Sequence, residues 1–259
     1  MELERRNVLR LLGGAGLATI VGACGSSGGD DGASSTTSTS SASGSTSTTA
    51  AAGSVTAIPE ETAGPYPGDG SNGPNILDDP DVVRADITRS IGDYSGTAAG
   101  VPLTIELTLL DLAKSGAPRA GAAVYLWHAD RDGHYSMYTV SNQNYLRGVQ
   151  ASGADGLVTF ESIFPACYDG RWPHIHFEIY DSVADATGGG SKLRTTQLAL
   201  PEDVCKQVYA TDGYTQSTSN LSRVSLDTDM VFRDGYSAEL ATVTGSVAAG
   251  YTAKLNVAV

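Results

Sequence analysis

The sequence predicts an all-β fold, a β-sandwich with few short helices, and three observations carry that prediction. Short runs of alternating apolar and polar residues recur from residue 55 to the end. Glycine, aspartate and asparagine clusters separate them, as at Asp132-Gly133, Asp155-Gly156 and Asp169-Gly170. Apolar positions at helical spacing are scarce. Short strands interrupted this often by turn residues form packed sheets more readily than helical bundles.

The first clear strand runs from Leu103 to Leu110, where leucine and isoleucine alternate with threonine and glutamate. The second, Ala123 to His128, is aromatic-rich and more continuously apolar. The third is His174-Ile175-His176-Phe177-Glu178-Ile179-Tyr180, and the last is the alternating stretch Tyr251 to Val259. A helix is predicted from Pro201-Glu202-Asp203. Proline suits a first helical turn, and two acids favour the positive end of the helix dipole.

The chain has 259 residues, a formal net charge of −13 and 41% hydrophobic residues. That acidity argues against nucleic-acid partners, whose phosphates need a basic surface. It also disfavours binding to an anionic membrane by charge. Three regions differ in composition. Residues 1–24 carry a basic start with Arg5 and Arg6, an apolar run from Leu11 to Ala23, and then Cys24. The order is that of an export signal of twin-arginine type. Val21-Gly22-Ala23-Cys24 resembles a lipoprotein box, which implies a lipid anchor on Cys24 and a location on the outer face of the cytoplasmic membrane or the cell surface. Residues 25–54 are almost all Ser, Thr, Gly and Ala, a composition that buries too little apolar surface to offset chain entropy. They read as a tether to one folded domain, residues 55–259. Of the remaining cysteines, Cys167 and Cys205 are candidates for pairing in an oxidising compartment, and no CxxC motif exists.

Two of the four histidines stand in His174-Ile175-His176. On a strand, alternate side chains share a face, so both imidazoles can address one metal ion while Ile175 and Phe177 point the other way. Such a pair also occurs as ordinary hydrogen-bonded residues. The neighbours add weight to the metal reading. Tyr168 lies six residues before His174 with the Asp169-Gly170 turn between, and Tyr135 follows the Asp132-Gly133 turn after another strand. Phenolate oxygen is a hard anionic donor that suits a hard trivalent cation, unlike the His, Cys and carboxylate sets of zinc. No HExxH, GxSxG or P-loop motif is present.

The run Gly170-Arg171-Trp172-Pro173-His174-Ile175-His176-Phe177 resembles the metal-binding signature of the intradiol ring-cleavage dioxygenases. Other blocks resemble that family in the same order: Gly64-Pro65-Tyr66, Arg84-Ala85-Asp86-Ile87, Trp127-His128-Ala129-Asp130 through Gly133-His134-Tyr135, Leu146-Arg147-Gly148, Phe164-Pro165 and Thr196-Gln197-Leu198. The wording is most similar to an exported branch of the family. The resemblance covers nearly all of residues 57–259 and implies a β-sandwich enzyme with Fe(III) as cofactor and a catechol and O2 as substrates. It implies Tyr135, Tyr168, His174 and His176 as metal ligands. Tyr168 would leave the metal when substrate binds and help remove a catechol proton. Arg171 would stabilise negative charge on the ring, and Gln197 would lie near the substrate and oxygen pocket. Trp172 departs from the smaller or polar residue expected there, which implies a narrowed pocket or an aromatic wall. His128 and His134 are assigned hydrogen-bonding roles rather than ligation, and Tyr138 a place lining the pocket.

Two other functions compete. One is a non-catalytic lipoprotein that binds iron or an aromatic ligand on the same fold. The other is a zinc hydrolase built on the histidine pair, which lacks an obvious third ligand and general base in the sequence.

Overall fold

A computed structural model describes residues 55–259 of the chain. The signal and tether assigned to residues 1–24 and 25–54, with Cys24, lie outside the described residues. Nine strands follow in order: β1 (Pro102–Asp111), β2 (Ala117–Pro118), β3 (Ala123–Trp127), β4 (Arg147–Ala151), β5 (Leu157–Ile163), β6 (His174–Tyr180), β7 (Lys192–Ala199), β8 (Thr242–Ser246) and β9 (Gly250–Ala258). Three helices, α1 (Val183–Thr187), α2 (Glu202–Tyr209) and α3 (Thr215–Leu221), lie in the second half. Among the described residues no helix is long and apolar enough to cross a membrane.

The strands form two sheets. One has the order β2-β1-β9-β8, with β5 also paired to β1. Here β1 and β9 run parallel in register Leu103↔Tyr251 to Leu110↔Ala258, joining the first and last predicted strands. The other is a fully antiparallel sheet, β4-β3-β6-β7. Alternation puts Leu103, Ile105, Leu107 and Leu109 of β1 against Val124, Leu126, Ile175, Phe177 and Ile179 of the second sheet, in one apolar core. The all-β sandwich is therefore the observed architecture.

The second sheet is buried on both faces, and this fixes where the site lies. Its outer face carries Tyr125, Trp127 and Tyr180, covered by Ile76, Leu77, Val82 and Tyr135 from preceding and following loops. His174, His176 and Gln197 belong to this outer face, opposite Ile175 and Phe177 in the core, as the strand alternation requires. A strap formed by residues 58–66 crosses the molecule on the same side. Ile58 N–H donates to the Ala258 carbonyl at 3.0 Å, and Glu61 N–H to the Thr195 carbonyl at 2.7 Å, so the strap caps the free edge of β7.

Helix α2 starts where the sequence predicts, with Pro201 as its cap and Glu202 and Asp203 in the first turn. Helices α1 and α3 were not expected. The sequence of α3, Thr-Gln-Ser-Thr-Ser-Asn-Leu, is polar and reads as a loop. Tertiary contacts hold it: Ser217 Oγ accepts from Cys167 N–H at 3.1 Å, and Asn220 Nδ2 donates to the Cys167 carbonyl at 2.8 Å. Cys167 and Cys205 are both free, buried thiols. Burial pushes the Cys167 thiol up to about 12 and holds the Cys205 thiol well above its ordinary range, which keeps both protonated and unreactive at neutral pH.

Candidate metal centre

Strand β6 supplies two imidazoles, and two loops bring a tyrosine each. The Nε2 atoms of His174 and His176 lie 3.1 Å apart. Tyr168 Oη is 3.1 Å from His174 Nε2, and Tyr135 Oη is 3.4 Å from Tyr168 Oη. Four donor atoms from three separate segments thus converge, and these are the four residues singled out in the sequence. Gly133 makes the turn before Tyr135 at φ +85°, and a Cβ there would press on Tyr168 Cβ at 3.2 Å. A glycine is required both by that left-handed backbone and by the close approach of the two tyrosine loops.

The donors fit a metal ion. His174 Nδ1 faces the Trp172 carbonyl, which places the proton on Nδ1 and leaves the Nε2 lone pair inward. Burial holds both imidazoles well below the usual histidine range, so both are neutral donors. His176 Nδ1 is buried without a hydrogen-bond partner, and the ring stacks on Trp127 at 5.0 Å and 5°. Burial drives the Tyr135 phenol well above its ordinary value and also raises Tyr168. Protein surroundings alone therefore keep the phenols neutral, and only a strong positive charge among the four donors would reverse that. Tyr135 is buried, whereas Tyr168, next to the exposed Asp169-Gly170 turn, is half-buried. Among the described residues no group of three His, Cys, Asp or Glu side chains could hold a metal, so the donor set is imidazole and phenol.

Arg171 and Gln197 complete the arrangement. Arg171 Nη1 lies 3.4 Å from His174 Nε2, and Nη2 donates to Gln197 Oε1 at 2.7 Å. Gln197 sits opposite His176 in the ladder, and its Nε2 donates to the Thr62 carbonyl of the strap at 2.8 Å. The strap then passes directly above the face that carries the four donors. Gly64, at φ +68°, brings backbone so near His176 that a Cβ would lie 3.4 Å from the ring. Tyr66 stands 4.9 Å from Tyr135, ring to ring.

Two residues with large roles were not identified from the sequence. Asp229 is fully buried; its Oδ2 accepts from Arg171 Nε at 2.9 Å and Trp172 N–H at 2.6 Å. Arg147 was noted only within a motif block. Its guanidinium donates to the Tyr66 and Pro67 carbonyls of the strap and to the Ser136 carbonyl and hydroxyl beside Tyr135. One side chain thus ties the loop that carries Tyr135 to the segment that roofs the site.

Other expectations need correction or refinement. Trp172 is no pocket wall: it is 3% exposed, belongs to the sandwich core and donates from Nε1 to the Leu200 carbonyl at 2.8 Å. Bulk is accepted at that position because the chain turns there from the site toward the core. His128 makes hydrogen bonds as expected, to Ser162 Oγ at 2.7 Å and to the Ala129 carbonyl at 2.8 Å, while His134 is exposed. Tyr138 packs on Tyr66 at 5.2 Å and hydrogen-bonds the Asn72 carbonyl and Gly68 N–H, so it supports the strap.

Burial pushes His128 down to about 4, from an ordinary value of 6.5. The unfolded chain therefore takes up a proton that the folded chain refuses. Stability from this residue is fully present above pH 6.5 and is lost as pH falls toward 4, by about 2 kcal/mol between pH 7 and pH 5. Chemical denaturation at both pH values should show that loss, and His128→Gln should make the pH dependence shallower by a similar amount.

A family model described as "Dioxygenase" matches residues 73–212, a stretch that holds all four donors, Arg171 and Gln197. An intradiol ring-cleavage dioxygenase structure from Tetranychus urticae is 26% identical, with a TM-score of 0.60, and the match covers 79% of this chain and 94% of that one. Hydroxyquinol 1,2-dioxygenase from Nocardioides simplex is 36% identical over 80 residues, 31% of this chain and 27% of that protein. Chlorocatechol 1,2-dioxygenase from Rhodococcus opacus is 39% identical over 57 residues, 21% of this chain and 22% of that protein. These matches span about a quarter of the curated relatives' length. The chain belongs to the intradiol ring-cleavage dioxygenase family.

Proposed function

We propose that this protein is an Fe(III)-dependent enzyme that opens a catechol-type ring between its two hydroxylated carbons. Both oxygen atoms of O2 enter the product, a cis,cis-muconate-type diacid. The observation that carries this reading is the convergence of two imidazole nitrogens and two phenol oxygens at 3.1–3.4 Å spacing. Tyr135, Tyr168, His174 and His176 would hold the iron; two anionic phenolates favour the trivalent ion. When bound, ferric iron supplies Lewis acidity and raises the reactivity of a chelated catecholate toward dioxygen.

The chain's own groups do the rest. Tyr135, buried and locked beside Tyr66, remains in place. Tyr168, half-buried beside the exposed turn, is the side chain freer to swing away, and its Oη, deprotonated while the site is loaded, would then take a proton from a catechol hydroxyl. Arg171 presents Nη1 beside His174 and stabilises negative charge that develops on the ring. Gln197 accepts from the guanidinium and, by donating to the Thr62 carbonyl, couples it to the strap. The strap itself excludes water from above His176. No reductant or organic cofactor enters this scheme. We further propose that the protein is exported and lipid-anchored at Cys24, a reading supported by the sequence of residues 1–24.

A visible spectrum tests the reading. Iron-loaded protein should show a broad tyrosinate-to-iron band that shifts when catechol is added without oxygen. Tyr168→Phe should weaken the band and lower turnover by about 100-fold, the scale of a lost proton-transfer group. Protein that stays colourless after iron loading would overturn the four-ligand assignment and favour a non-catalytic aromatic-binding module.

A further inference from the structure

Arg171 is held at two of its three nitrogens. Nε pairs with Asp229 Oδ2 at 2.9 Å, and Nη2 donates to Gln197 Oε1 at 2.7 Å. Two bonds through different nitrogens fix both the place and the in-plane direction of a planar guanidinium. The third nitrogen, Nη1, is thereby turned toward the four donors, 3.4 Å from His174 Nε2. The pairing with Asp229 does not silence the arginine. Burial is the largest influence on Tyr135, Tyr168, His174 and His176, and the Arg171 charge is felt at every one of them.

Asp229 is itself held on both sides. Its side chain is 0% exposed. Oδ2 also accepts from Trp172 N–H at 2.6 Å, while Oδ1 accepts from Val231 N–H at 2.8 Å and Phe232 N–H at 3.3 Å. The carboxylate therefore joins the segment leading into β6 to the turn at Phe232, and both Trp172 and Phe232 belong to the sandwich core. Gln197 is fixed in the same way, between the guanidinium and the Thr62 carbonyl. The arginine is thus suspended between a buried carboxylate on one side and β7 on the other.

We propose that Asp229 is a positioning residue for ring cleavage, fixing Arg171 so that Nη1 faces the four donors. The proposal rests on the dioxygenase reading above. Asp229 makes no hydrogen bond to any of the four donors, so its effect on the reaction passes through Arg171. A guanidinium released from Asp229 keeps its charge and loses its aim, and a displacement of about 1 Å near a reacting centre costs about 100-fold.

Two variants of the full chain test this. Asp229→Asn keeps the volume but puts an NH2 group against one pair of N–H donors, and Asp229→Glu keeps the charge but moves it by one carbon. Iron content, the visible band and its anaerobic shift with catechol should match the unaltered protein. KM should stay within about threefold while kcat falls about 10–100-fold, the pattern of an interaction made only in the transition state. Arg171→Met should lower kcat by about 100-fold or more, and adding Asp229→Asn to it should cost nothing further. A merely structural role would instead lower iron content and band, and its loss would add to that of Arg171→Met. In metal-free protein, nuclear magnetic resonance should show slow hydrogen exchange at Arg171 Nε–H, and fast exchange in Asp229→Asn. Unchanged kcat in both Asp229 variants, additive losses in the double variant, or fast Nε–H exchange in the unaltered protein each overturn the proposal. If neither Asp229 variant folds, Arg171→Lys decides, because one ammonium cannot reach Asp229 and Gln197 and still face the donors. Its kcat should be as low as that of Arg171→Met, and full activity overturns the proposal. Absence of turnover and of any spectral shift in the unaltered protein overturns the dioxygenase reading, and this proposal with it.

Discussion

His176→Ala is expected to lower iron affinity by more than about 100-fold, beyond the 10–100-fold typical of residues one layer outside a metal's ligands. Ring cleavage should fall with it, and the visible band should disappear at stoichiometric iron. The reason lies in how tightly this imidazole is held. Trp127 stacks on one face, His174 and Tyr135 meet it edge-on, and the Gly64 backbone passes close by. Metal analysis after dialysis, read beside the far-ultraviolet circular dichroism, separates loss of the site from loss of the fold. Normal iron content in a folded His176→Ala protein would remove His176 from the ligand set.

Arg147→Met should destabilise the domain by about 3 kcal/mol or more, because each buried acceptor left unsatisfied costs roughly 1–3 kcal/mol. Arg147 is 1% exposed, and its donors reach the Tyr66 and Pro67 carbonyls, Tyr125 Oη and both oxygens of Ser136. Methionine fills much of the volume but leaves several buried acceptors unsatisfied. Denaturant unfolding gives the magnitude. The strap and the Tyr135 loop should loosen together, so protease cleavage within residues 58–66 and loss of the visible band are expected at the same denaturant concentration. A variant that unfolds at the original midpoint would show that the strap is held by other contacts.

The strands and the four converging side chains were legible because their signals are local. The His174–Tyr180 strand, the turns at Gly133 and Gly170, and the start of α2 each depend on a few adjacent residues. The pairing of His174 with His176 follows from strand periodicity alone. Gln197 gains its place only from register, since β7 sets it opposite His176. What stayed hidden depends on distant partners. Asp229 lies in the polar stretch Ser225–Asp229, where nothing distinguishes it from Asp227, and its role exists only because Arg171 folds against it. Helix α3 has a loop's composition and is fixed by side-chain bonds to the backbone of Cys167. Trp172 misled because it lies in the metal motif, yet the chain turns its side chain into the core.

The strap also bears on the order of assembly. Its contacts with β7 join residues 135 positions apart, and Ile58 bonds to a carbonyl in the final strand. A chain emerging from the ribosome makes the strap well before β7, which receives Glu61 and Thr62, and before the final strand, which receives Ile58. Long-range closure of this kind is slow compared with local hairpin formation. The paired histidines on β6 are made before the strand that holds the strap over them, so the strap can settle above His176 only once β7 has paired with β6.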